Sequence, residues 1–283
     1  MQNNATADSA EPSSVLAAPS GIRTESVFRS PWFDICQFIA LLLFLCWLGS
    51  HSIENLGYHW QWYRIPDLVI QTGADGITSG PLLEGLWITV KISAVSMVFM
   101  LFFGMTTALF RLSSSPVARL IARAYLEVSR NTPLLIQLFF IYFVLGPVLG
   151  LDRFFSAVLA LSLFEGAYAS EIFRAGIISV DRGQREAAES LGLKKKYIYR
   201  FIILPQAFRI ILPPLTSQTI SLIKDSALVS TIAIYDLTMQ AQMLIAETFL
   251  TFEIWFTVAI LYLVITISLS CFVTFLEKRM KLV

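Results

Sequence analysis

Long apolar runs separated by short polar connections dominate this chain, and the runs lack the strict alternation of a lipid-facing barrel strand. Helices about as long as a bilayer is thick are therefore expected. The pattern predicts six, over approximately Phe33 to Leu48, Leu86 to Phe110, Pro133 to Leu149, Phe154 to Val180, Ala207 to Ile234 and Ile254 to Leu276. The first run is short, and Asp34 and Gln37 near its start weaken it. Pro213-Pro214 falls inside the fifth, so that span is not expected to be one straight helix. Residues 1–30 are rich in Ala, Ser, Asn and Pro without apolar periodicity and read as a disordered tail. Residues 31–81 read as an added N-terminal span with its outer loop, and 82–283 as the core.

Composition agrees with this reading. Of 283 residues 56% are hydrophobic and only 14% charged, and the mean hydropathy is +0.68. The fold class is an all-α integral membrane protein. The net charge of +1 matters less than its distribution. Arg111, Arg119 and Arg123 follow the second run; Arg182, Arg185, Lys194, Lys195, Lys196 and Arg200 follow the fourth; Lys278, Arg279 and Lys281 close the last. The connections on the other side hold few Lys or Arg. Six spans with both termini inside satisfy this bias everywhere.

Much enzymology is excluded. Cys36, Cys46 and Cys271 sit in apolar runs without CxxC spacing, and His51 and His59 are the only histidines, so no metal centre is expected. There is no phosphate loop, HExxH or GxSxG. No catalytic residue and no cofactor are expected in this chain, and nothing points to nucleic acid.

The densest basic segment, Glu186 to Pro205, is helix-compatible and lies between two spans. It matches the spacing E-A-A-x3-G-x9-I-x-L-P through Glu186, Ala187, Ala188, Gly192, Ile202, Leu204 and Pro205. Two alanines give a helix a flat surface for a partner's groove, and Gly192 permits a sharp turn. A basic amphipathic helix lying on the inner leaflet is the alternative. The motif resembles the signature loop of ABC importer permeases. Further segments carry the resemblance: R-N-T-P-L-L-I-Q from Arg130, A-Y-A-S-E-I-F-R-A-G-I from Ala167, G-Q-R-E-A-A from Gly183, L-P-Q-A from Leu204 and K-D-S-A-L-V-S from Lys224. They look like the polar amino acid permease subfamily, over residues 82–283. Asp181, where proline is common, and Ser170, where alanine is usual, depart from its pattern.

The resemblance implies a type I ABC importer permease fold of five core transmembrane helices, to which this chain adds one. It also implies a bacterial inner (plasma) membrane location among membrane lipid. A second permease subunit, two cytoplasmic ATPase subunits that bind ATP and Mg, and an extracytoplasmic substrate-binding protein are the implied partners, with a polar or charged amino acid as substrate. Glu186, Ala187, Ala188, Gly192, Leu193 and Pro205, in a coupling loop over 181–205, would then meet the ATPase. An ion-coupled secondary transporter, also built from broken, charged helices, is the competing class.

Charges within apolar runs are the remaining candidates. Lys224 and Asp225, with Ser226 beside them, read either as a substrate contact or as a structural pair that fixes a broken helix. Arg130 either snorkels or, with Asn131 and Thr132, lines a water-filled path where the backbone is interrupted. Glu171 and Arg174 share a helical face and read as an ion pair, with a gate as the other reading. Lys91 is expected to snorkel, and Glu165 has no partner nearby in the sequence.

Overall fold

The computed structural model describes residues 31–56, 58–73 and 76–281, so the expected tail over 1–30 lies outside the described residues. The chain divides after His59 into two units. In the first, helix α1 (Pro31–Leu56) carries a continuous apolar stretch, Phe33–Leu48, with Phe38, Leu41, Leu43 and Phe44 all exposed. Trp47 stacks on His51 at 5.6 Å.

The second unit starts with a 3₁₀ turn, Trp62–Arg64, a short helix α2 (Ile65–Val69) and a hairpin of β1 (Ile70–Gly73) and β2 (Gly76–Ser79), antiparallel with Ile70 opposite Ser79. Helix α3 (Pro81–Leu112) follows, then α4 (Pro116–Asn131). The next span is pieced together from α5 (Leu134–Phe139), a π-helical stretch over Phe140–Leu145 and α6 (Gly146–Leu149). Helix α7 (Arg153–Ile178) leads to α8 (Arg182–Ser190) and α9 (Lys195–Ile198), and a second π-helical stretch, Tyr199–Ile203, runs into α10 (Leu204–Asp225). A 3₁₀ segment (Ser226–Ile232), α11 (Leu237–Thr248) and α12 (Thr251–Lys281) complete it.

Among the described residues four helical runs are long and apolar enough to cross a membrane, and five if α4 with α5–α6 counts as one broken span. The apolar stretch of α1 is shorter than these. Packing centres on α3 against α7, where Ser93, Ser96, Gly104, Ser162, Gly166 and Ala169 keep the two backbones close. The hydroxyl of Ser162 bridges them by donating to the Ser96 carbonyl at 3.1 Å.

Two readings are refined here for physical reasons. The connection after Arg111 is not a loop: α4 is amphipathic, burying Ala122, Leu126 and Ser129, and the chain bends by 110° between it and Leu134–Leu149. Across Pro213-Pro214 the fifth span stays helical, continuous from Lys195 to Ile232, though it is not uniform, with a π-helical stretch at Tyr199–Ile203 and 3₁₀ at Ser226–Ile232. A helix already holds φ near proline's value, and the carbonyls that lose donors belong to Arg209 and Ile210, both exposed. Packing of Ala207 and Ile211 with Met100, Ala169 and Phe173 offsets the loss. The helix changes character later, at Asp225–Ser226, where α-helix tightens to 3₁₀.

Candidate functional site

Three polar features are strung along α7 and the elements that follow it. The first is the loop after it. Asp181 caps α8, its Oδ1 accepting from the Gly183 amide at 2.6 Å, which accounts for an acid where a proline was the pattern. The helix stops in a Schellman arrangement: the Leu193 amide donates to the Ala188 carbonyl at 3.2 Å, the Gly192 amide to that of Glu189 at 2.9 Å, and Gly192 takes φ +73°. Pro205 follows the π-helical stretch inside a helix that runs on from Lys195, and the carbonyl it leaves without a donor, that of Phe201, belongs to an exposed residue.

The two alanines do not make one free surface. Ala188 is buried on Ile198 and Ile203, so it anchors α8 to its own chain, whereas Ala187 is exposed. At 100° per residue the face opposite Ala188 presents Glu186 and Ser190. Glu186 accepts from Arg182 at 2.8 Å and Glu189 from Arg185 at 3.1 Å, exposed pairs that orient the helix surface more than they stabilise it. The bond to Glu189 holds the Arg185 guanidinium above its ordinary pKa. Just past the helix, Leu191 is 80% exposed and Leu193 41%. The apolar contact surface therefore lies at the turn.

The second feature is Glu171. Its carboxylate accepts from Arg111 of α3 and Arg174 of α7 and lies 3.4 Å from Arg130 of α4, so one acid ties three helices. Arg130 also lies over the Tyr168 ring at 5.7 Å; the guanidinium is directed into the protein. Arg111, Arg130, Tyr168 and Glu171 line a polar cavity of about 440 Å³ with Arg123, Glu127 and Asn131. At the adjoining break, Gln137 donates to the Ser129 carbonyl at 2.8 Å and to the Thr132 carbonyl at 3.1 Å. The Ser129 and Thr132 carbonyls are thus tied internally, and Ser129, Thr132 and Gln137 line, with Ile136 and Phe140, a largely apolar cavity of about 570 Å³.

The third feature joins α7 to α10. Glu165 is fully buried, accepts from Gln218, and faces the carboxyl of Asp225. Its partners lie more than 50 residues away in sequence, which is why none was visible locally. No ion pair joins Lys224 to Asp225 among the described residues: Lys224 is exposed, as neighbours 100° apart on a helix allow, and Asp225 turns to Glu165. Ser226 is buried and donates to the Ile223 carbonyl at 2.7 Å. Glu165 Oε1 has no donor. A fully buried carboxylate facing a half-buried one, with a single amide as donor, leaves room in this group for a cation. Lys91 does reach outward, exposed, with its ammonium 5.3 Å from the Phe154 ring.

Comparison with known proteins places the chain in a family. Residues 100–282 match the family described as binding-protein-dependent transport system inner membrane component. The glutamine transport system permease protein GlnP of Escherichia coli K12 is 40% identical over 204 residues, covering 71% of this chain and 93% of the relative. A putative glutamine transport system permease protein of Rickettsia conorii is 39% identical over 201 residues, 70% and 92% respectively. Among solved structures, an amino acid ABC transporter with histidines superposes with a TM-score of 0.66 at 38% identity, over 70% of this chain and 94% of that one. The MetNI methionine ABC transporter in an inward-facing form superposes with a TM-score of 0.60 at 18% identity, over 70% and 95%, and so shares the fold.

Proposed function

The chain belongs to the family of inner membrane components of binding-protein-dependent transport systems, and from that premise we propose that it is the permease subunit of an ATP-driven importer of polar or charged amino acids. It works with a second permease subunit, two ATPase subunits and an extracytoplasmic binding protein. ATP and Mg are held by the ATPases. The observation that carries the reading is the construction of α8: a short helix anchored by Ala188, closed at Gly192, with Glu186 and Leu191 turned outward.

Closure of the ATPase pair displaces α8 as a rigid body. Because α9 and the π-helical stretch pass without interruption into α10, the displacement travels along the helix that carries Gln218 and Asp225. The same motion pulls on α7, which carries Glu165 and Glu171. The equilibrium between two arrangements is thereby biased by contacts present in only one of them. Asp225 with Glu165 serves as the cation-accepting part of the path, where a substrate ammonium supplies the donor that Glu165 Oε1 lacks. Lys224, Ser226, Arg130, Asn131 and Thr132 flank that path, and Glu171 holds its basic end together.

Two substitutions test the reading in proteoliposomes reconstituted with ATPase subunits and a substrate-binding protein. Gly192→Arg places a long cation on the docking turn and is expected to uncouple ATP hydrolysis from uptake; persistent uptake with normal coupling would remove the docking assignment. Asp225→Asn is expected to abolish uptake while leaving assembly intact. Unchanged affinity and rate in that variant would take Asp225 out of the path.

A further inference from the structure

Helix α4 presents a surface that, apart from Arg123, which also lines the Glu171 cavity, neither coupling nor the proposed path uses. Opposite its buried residues it exposes Val117, Leu120, Ile121 and Val128, at 63%, 67%, 54% and 64%. Stepping 100° per residue, this apolar stripe lies roughly 150° from the buried face, and Arg119, Arg123 and Arg130 fall together on one flank between the two. Arg130 is engaged by Glu171. Arg119 and Arg123 are exposed and have no carboxylate within ion-pair distance among the described residues. From Arg111 to Leu126 there is no Asp or Glu at all. The nearest acid on the helix, Glu127, accepts from Asn131 at 2.9 Å.

Orientation supplies the second observation. The 110° bend at Thr132–Pro133 sets α4 nearly perpendicular to α5–α6, so if the latter crosses the bilayer α4 runs along its surface, on the side where basic residues collect. A helix lying there, with an apolar stripe and a basic flank, has the form that sits at a headgroup boundary. We propose that α4 inserts its Val117–Leu120–Ile121–Val128 stripe into the basic-side leaflet and that Arg119 and Arg123 bind the phosphate of anionic phospholipid headgroups. A symmetric contact with a second copy, centred on the same stripe, would bring four arginines together with no free acid to answer them. Anionic lipid answers them directly.

The full-length protein in uncharged detergent, titrated with phosphatidylglycerol or phosphatidylcholine and read by native mass spectrometry, is expected to retain phosphatidylglycerol preferentially. Arg119→Gln with Arg123→Gln should reduce that preference by about thirty-fold, about five-fold for each charge removed near the surface, and the Lys,Lys variant should keep most of it. Equal retention of the two lipids, or a preference unchanged in the Gln variant, overturns the proposal. So does displacement of the lipid by millimolar inorganic phosphate, which would indicate a free-anion site. A nitroxide at Leu120→Cys, with Cys36, Cys46 and Cys271 replaced by Ser, gives an independent reading in phosphatidylglycerol bilayers. Strong collision with oxygen and weak collision with a water-soluble nickel chelate are expected; shielding from both would mean that protein covers the stripe, and the proposal falls.

Discussion

Replacing Glu171 by Gln keeps the shape of the side chain and removes the charge that three arginines share. The strongest pair is with Arg111, whose side chain is 23% exposed against 29% for Glu171, placing it between a surface pair worth about 0.2–1 kcal/mol and a buried one whose rupture costs about 3–5 kcal/mol. A coupling of about 2 kcal/mol is expected for that pair. Arg130 is 46% exposed and 3.4 Å away, so solvent screening reduces its share to about 0.5 kcal/mol. Glu171→Gln should therefore cost about 2–3 kcal/mol in all. Double-mutant cycles for Arg111→Gln and Arg130→Gln with Glu171→Gln, read by equilibrium unfolding in mixed micelles at low salt, separate the two contributions. The larger coupling must belong to Arg111. Additivity of the Arg111 cycle within about 0.5 kcal/mol, or a larger coupling for Arg130, would refute the claim that Glu171 ties α3 to α7 primarily.

Three further outcomes follow from the geometry. A Cβ at Gly192 meets nothing within 4 Å, so Gly192→Ala should cost only the left-handed backbone, about 1–2 kcal/mol, and Gly192→Asn less; a loss in Ala as severe as in Arg would show that space matters there after all. At Gly176 the opposite holds, because a Cβ would stand 2.2 Å from Ile211 Cγ1. Gly176→Ala should lower stability by about 1–3 kcal/mol, and adding Ile211→Ala, which removes the colliding atoms, should make the pair less costly than the sum; strict additivity in thermal melts would exclude an α7–α10 clash. Burial pushes the Asp236 carboxyl, in the connection before α11, up to about 6 from 3.8. The folded state then keeps a proton that the unfolded state has released. Stability is greatest below about pH 4 and falls by about 3 kcal/mol as pH rises through 6. Asp236→Asn retains a capping oxygen for the Met239 amide, now 3.0 Å from Oδ1, and should remove this slope between about pH 4 and 6; parallel pH dependences of melting for the two proteins would contradict it.

What could be read from the chain was whatever depends on neighbours in sequence. The apolar runs mark the helices that cross, and Gly192 marks the turn that ends α8, since both follow from local spacing. Two misreadings were also local in origin. Arg119, Arg123 and Arg130 disguise α4 as a connection, and the adjacency of Lys224 and Asp225 suggests a pair that the helical turn keeps apart. Glu165 illustrates the other limit: its burial is decided by α10, so no window around it reveals Gln218 or Asp225. Ala188 combines both. The motif that contains it is legible, yet which alanine faces inward depends on Ile198 and Ile203 folding back beneath α8. This distinction changes what a substitution there reports. Enlarging Ala187 perturbs a surface open to a partner, whereas enlarging Ala188 must first lift α8 off its own chain. Under the coupling role proposed above, a defect at Ala188 measures how rigidly α8 is mounted, whereas Glu186, Ala187, Leu191 and the Gly192 turn report on what pushes it.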